Sequence, residues 1–69
     1  MSDSVYKVIE LVGTHPDSWD KAAAGAIARA SKSLRDLRVA EVTEQDLVIE
    51  GGVVKAYRTK LKVSFKFED

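Results

Sequence analysis

RVAEVTEQDLVIEGGVVKAYRTKLKVSFKF, Arg38 to Phe67, decides the fold. Two β-rich runs, Arg38–Ile49 and Val53–Phe67, flank Glu50-Gly51-Gly52. Paired glycines between alternating runs predict a hairpin, because both loop positions of the favoured turn need positive φ. With Gly51 and Gly52 as the loop, one face pairs Ala40 with Val63 and Val42 with Leu61, and Phe65 extends it. The other face pairs Glu41 with Lys62, Thr43 with Lys60 and Gln45 with Arg58. Side chains alternate between faces, so a slip of one residue would mix apolar with charged positions.

Upstream, VYKVIELV at Val5–Val12 is β-branched and bounded by Gly13. Val5, Ile9 and Leu11 lie on one face and Tyr6, Val8 and Val12 on the other. A strand apolar on both faces needs cover on both. Gly13-Thr-His-Pro-Asp-Ser reads as a turn ending in an N-cap at Asp17 or Ser18, with Asp20 in the first helical turn. Trp19, Ala22, Ala23, Ala26, Ile27, Ala30 and Leu34 then form one helical stripe. Its alanines let a sheet approach closely, and the helix is expected to end near Leu34 or Arg35. The expected fold is a single α+β domain over residues 1–69, in the order β-α-β-β.

A chain of 69 residues has a marginal core by itself. Small proteins compensate with disulfides, metals or oligomerisation. There is no cysteine and a single histidine, so disulfides, thiolate sites and histidine-built zinc sites are excluded unless symmetry gathers copies of His15. Eleven basic and eleven acidic residues give no electrostatic reason to expect nucleic acid or an anionic membrane as partner. No run is long enough to span a bilayer, and Met-Ser-Asp-Ser does not open a signal peptide, which makes the cytoplasm the expected location.

Nothing points to catalysis. No phosphate-binding loop, nucleophile elbow or His-Glu-x-x-His motif is present, and His15 stands before Pro16 without an evident partner. An enzyme of the small α+β dimeric-barrel kind is therefore disfavoured. Trp19 could stack on a ligand, but packing on the sheet with its N–H donated to a neighbour is the more ordinary role. Arg58, Lys60, Lys62, Ser64 and Lys66 alternate with Tyr57, Thr59, Leu61, Val63, Phe65 and Phe67, as a solvated sheet face would. Glu41, Glu44 and Asp46, with Gln45, form an acidic stretch; Glu44 and Asp46 share a face and are the candidate metal ligands. Oxygen-only donors suit calcium or magnesium, although about six to eight oxygens are needed for calcium, so symmetry copies, carbonyls or water must complete such a site. The alternative for these carboxylates is cross-strand pairing with Lys and Arg.

The chain from Val5 to Phe67 resembles the dodecin family. The match is carried by VYKVIELVGT at Val5–Thr14, AIARASKSLRDL at Ala26–Leu37, AEV at Ala40–Val42, Tyr57, and LKVSFKF at Leu61–Phe67. The resemblance implies a three-stranded antiparallel sheet wrapped around one helix, and twelve subunits closed into a hollow shell. Most dodecins bind flavin dimers between subunits, with a Trp just before the stretch matching Ala40-Glu41-Val42 and a Gln just after the Tyr matching Tyr57. This chain has Val39 and Arg58 at those positions, which fall on one sheet face in the expected register and are expected to be neighbours, with Gln45 also near the implied pocket. Valine has no π face and arginine no acceptor, so flavin is not expected to bind. The flavin-poor calcium dodecins are the nearer subgroup, on Ser18-Trp19, Arg38-Val39-Ala40, Glu44-Gln45-Asp46, Tyr57-Arg58 and Val63-Ser64-Phe65-Lys66. The expectation is a homo-oligomeric binding or storage shell, not an enzyme, that holds calcium and no flavin. The alternative is a shell taking a flavin, nucleotide or coenzyme through Arg58, Lys60 and Lys62.

Overall fold

The computed structural model describes residues 4–66, so the expectations for Phe67 and the extreme N-terminus lie outside the described residues. The elements run β1 (Tyr6–His15), α1 (Trp19–Ala30), β2 (Leu37–Glu50) and β3 (Val53–Lys66). All three strands are antiparallel, and β3 lies in the middle of the order β1-β3-β2. The expected α+β class and β-α-β-β order are therefore found. Among the described residues no helix is long and apolar enough to cross a membrane.

Strand β1 runs past Gly13 to His15, three residues beyond the expected Val12. Gly13 is not a stop. It is the point where helix and strand touch: a Cβ there would collide with the Ala22 carbonyl oxygen, and Ala26 Cβ lies 3.1 Å from the same point. Helix α1 starts where expected. Ser18 is extended, with φ −162° and ψ 159°, and its Oγ accepts from the Lys21 N–H at 3.2 Å. The helix ends at Ala30, four residues short of Leu34. Ser31 Oγ donates back to the Ala28 carbonyl at 2.9 Å, and the Lys32 and Ser33 N–H groups reach Arg29 and Ala30 at 3.2 and 3.1 Å, tightening the chain into a turn. Leu34 stays half-buried through that turn, and Asp36, at φ 56°, redirects the chain into β2.

The hairpin loop is as expected: Gly51 and Gly52 have φ of 59° and 77°. Ala40 opposes Val63, Glu41 opposes Lys62 and Val42 opposes Leu61. Beyond Val42 the expected register fails. Glu44, not Thr43, opposes Lys60, and Asp46, not Gln45, opposes Arg58; Gln45 opposes Thr59. Thr43 is an extra residue on β2, and Lys55, between the pairs Val48–Ala56 and Ile49–Val54, is an extra residue on β3. These two bulges shift the intervening segment by one residue and then restore the original pairing.

The helix packs on β1 and β3. Ala22, Ala30, Leu61 and Val63 are buried, and so is Thr59, whose Oγ1 donates to the Trp19 carbonyl at 3.0 Å. The opposite face of β1 is bare, with Tyr6, Val8 and Val12 exposed by 47%, 55% and 54%. The hairpin projects past β1, whose last pair is His15 with Tyr57, and its tip exposes Leu47, Ile49, Val53 and Val54. The molecule measures 56 × 21 × 14 Å, with a radius of gyration of 14.5 Å. A self-contained domain of this length would have about 11 Å.

Candidate cation site on the polar sheet face

The sheet face turned away from α1 carries a ladder of opposite charges. Along β3, Arg58, Lys60 and Lys62 point to this face, and β2 sets Asp46, Glu44 and Glu41 against them. Glu10 of β1 flanks Lys62 from the other side. The bulge at Thr43 is what brings Glu44 and Asp46 here, since the expected register would have turned both toward the helix.

Asp46 and Arg58 form the tightest contact of the ladder. Arg58 Nε donates to Asp46 Oδ1 and Nη2 donates to Oδ2, both at 2.7 Å. This fork is the strongest form of a surface ion pair, because two parallel charge-assisted bonds fix its geometry. Hydrogen bonding from Arg58 holds the Asp46 carboxyl below its usual range; desolvation opposes this, and the charges of Arg58 and Lys60 reinforce it. The same bond raises Arg58 above its usual value. Lys60 Nζ lies 2.9 Å from Glu44 Oε1, and the Glu44 side chain is 65% exposed.

The other side of Asp46 is tied to the helix. Trp19 Nε1 donates to the Asp46 backbone carbonyl at 3.1 Å, and its ring meets Tyr57 edge-on, with centroids 5.1 Å apart and planes at 86°. Trp19 therefore packs on the sheet and sends its N–H to a neighbour, as expected. His15 closes the β1–α1 turn, its Nδ1 accepting from the Asp17 N–H at 3.0 Å. It has a structural partner of its own.

As candidate metal ligands, Glu44 and Asp46 do share a face, but both already serve a cation. Among the described residues no three His, Cys, Asp or Glu side chains converge to hold an ion. One chain thus falls short of a calcium shell, and an ion must compete with Arg58 and Lys60 for the carboxylates. The three residues expected around a flavin pocket are dispersed. Val39, 65% exposed, opposes Ser64 on the polar face. Arg58 lies on that face too, but six positions further along β3. That separation is about 20 Å, so the two are not neighbours within one chain, contrary to expectation. Gln45 is on the helix side, beside Thr59. Val39 instead borders a shallow depression with Val8, Glu10, Glu41, Lys62 and Ser64.

The bulge at Thr43 and the indole bond to Asp46 escaped the sequence reading. Thr-Glu carries no bulge signal, and a bond between residues 27 positions apart leaves no local trace.

Fold and site together define a small α+β protein in which one helix packs against a charged three-stranded sheet. The chain belongs to the dodecin family, whose model, described as Dodecin, matches residues 5–68. It is 54% identical over 63 residues to "Calcium dodecin" of Mycobacterium tuberculosis, covering 91% of this chain and 89% of that protein. To "Dodecin" of Thermus thermophilus it is 43% identical over 65 residues, covering 94% of each. Dodecin from Streptomyces coelicolor superposes with a TM-score of 0.94 at 43% identity, over 100% of this chain and 99% of that one. The crystal structure of M. tuberculosis calcium dodecin, described as calcium-chelating with a novel calcium-binding site, superposes with a TM-score of 0.84 at 53% identity, over 94% and 93% of the two chains.

Proposed function

We propose that this chain is the subunit of a closed, dodecameric homo-oligomer that binds calcium and does not stack flavin; its role is binding or storage in the cytoplasm, not catalysis. The observation that carries the assembly is the amount of apolar surface one chain cannot cover: both the outer face of β1 and the hairpin tip are bare. At about 25 cal/mol per Å² of apolar area, leaving so many large side chains in water forfeits stability a chain this short cannot spare. Similarity to the mycobacterial calcium dodecin supports calcium as the ion. Glu44 and Asp46 are the proposed ligands from each subunit, completed by other copies or by water, because they are two carboxylates on one face next to exposed surface.

The anionic-ligand alternative has less support, since Arg58 and Lys60 already hold Asp46 and Glu44. Melting the protein in calcium and in chelator tests the ion. A ligand bound only by the folded assembly raises the melting temperature by mass action. A calcium-dependent rise that is lost in both Glu44→Gln and Asp46→Asn supports the assignment. Equal melting in both buffers removes calcium from the proposal.

A further inference from the structure

We propose that the hairpin tip of one subunit seats in the groove between β1 and the C-terminal half of α1 on the next, so that copies join tip to groove; this deepens the closed-oligomer reading and rests on it. The tip is bare on the side that carries the helix further back. Leu47 opposes Tyr57, whose ring meets Trp19, so Leu47 lies on that side, and Ile49, two residues on, lies there with its partner Val54. These three are exposed by 40%, 62% and 41%, because α1 begins only at Trp19 and leaves the end of the arm uncovered.

The groove has a matching character. Ile9 and Leu11 of β1, Ala26 and Ala30 of α1 and Leu34 of the turn line about 400 Å³ beside the edge strand of the sheet, and exposed Arg29 stands at the rim. A subunit cannot fill this groove with its own tip. Ile9 pairs with Val63, ten positions along β3 from Val53 at the tip, which is about 33 Å of strand. Cover for both surfaces must come from another molecule. Charge separates the possible pairings. Arg29, Lys32 and Arg35 are exposed around the end of the helix, and among the described residues none of them is in an ion pair. Two grooves laid face to face would oppose these cations. The tip carries Glu50, exposed and likewise outside the ion pairs, and its charge is offset by Lys55, so the tip meets the rim without net repulsion. Seating the tip offers Arg29 an acid and removes apolar side chains of both partners from water. A tip laid against a second tip would leave the groove open. The tip-to-groove contact joins two different patches, so it is heterologous and can repeat from copy to copy until the rotation closes.

Complementation tests a heterologous contact. Ile49→Asp spoils the tip and keeps the groove, whereas Leu34→Asp spoils the groove and keeps the tip. Each variant by itself should lose mass relative to the parent in light scattering, with its circular dichroism unchanged. Mixed one to one, the intact groove of the first meets the intact tip of the second, and a heavier species holding both chains in equal amounts should form. A tip-to-tip contact predicts otherwise: Leu34→Asp would keep the parent mass, and mixing would add nothing. If Leu34→Asp does not fold, Arg29→Glu at the exposed rim takes its place; it should lose mass by facing Glu50, and adding Glu50→Arg to the same chain should restore it. An oligomeric parent whose mass survives Ile49→Asp, or variants that form nothing heavier on mixing, overturn the docking alone. A monomeric parent overturns the closed-oligomer reading and the docking with it.

Discussion

Arg58 grips Asp46 with two hydrogen bonds of 2.7 Å across β3 and β2, while the backbone of the same aspartate accepts the Trp19 indole from the other side of the sheet. One residue therefore joins the charged outer face to the helix. Its side chain is set by electrostatics and its main chain by an aromatic anchor.

The grip makes stability depend on pH in a defined direction. The Asp46 pKa is lowered in the folded protein from a reference of 3.8, chiefly by its bonds to Arg58. A carboxyl with a depressed folded pKa adds stability that is complete above its unfolded value and fades as pH falls through the folded one. In chelator, melting temperature should therefore drop on acidification below about pH 4 more steeply for the parent protein than for Asp46→Asn. Parallel curves would show that the pair adds nothing.

Two glycines should respond oppositely to the same change. Gly13→Ala drives a methyl into the Ala22 carbonyl and should destabilise by about 1–3 kcal/mol, as overpacking does. Gly25, within α1, has open space where its Cβ would go. Gly25→Ala should stabilise by about 0.5–1 kcal/mol by removing helix-interior glycine. Thermal melts of both variants check the pair of signs.

Light scattering should return a mass near that of twelve chains at micromolar concentration, as implied by the family resemblance and by the uncovered valines of β1. A monodisperse monomer or dimer would falsify the closed-shell proposal. A lysine at Val12, on the bare face of β1, should weaken assembly and leave the secondary structure of the subunit in place, read by circular dichroism.

Riboflavin fluorescence should be quenched weakly by the parent protein. Val39 has no π face, and Arg58 is committed to Asp46. The double change Val39→Trp with Arg58→Gln should increase quenching, since it restores both groups that the family resemblance assigns to flavin. Tight quenching by the unmodified protein would refute the assignment.

Element order, the Gly51-Gly52 turn, a helix cap at Asp17 or Ser18, the two-faced first strand and the family itself were all legible in the chain, because each rests on local periodicity, on turn chemistry or on a run of matching residues. Tertiary structure decided the rest. Gly13 reads as a strand end until α1 passes over it, and close helix–strand approach has no local sign. The helix stops at Ala30 because Ser31 and the turn after it compete for its last carbonyls. Most consequential is the one-residue shift at Thr43, which exchanges Gln45 for Glu44 and Asp46 on the polar face. Alternation by itself admits both registers. What differs between them is which side chains meet Arg58 and Lys60, and in the packed chain those partners are Asp46 and Glu44.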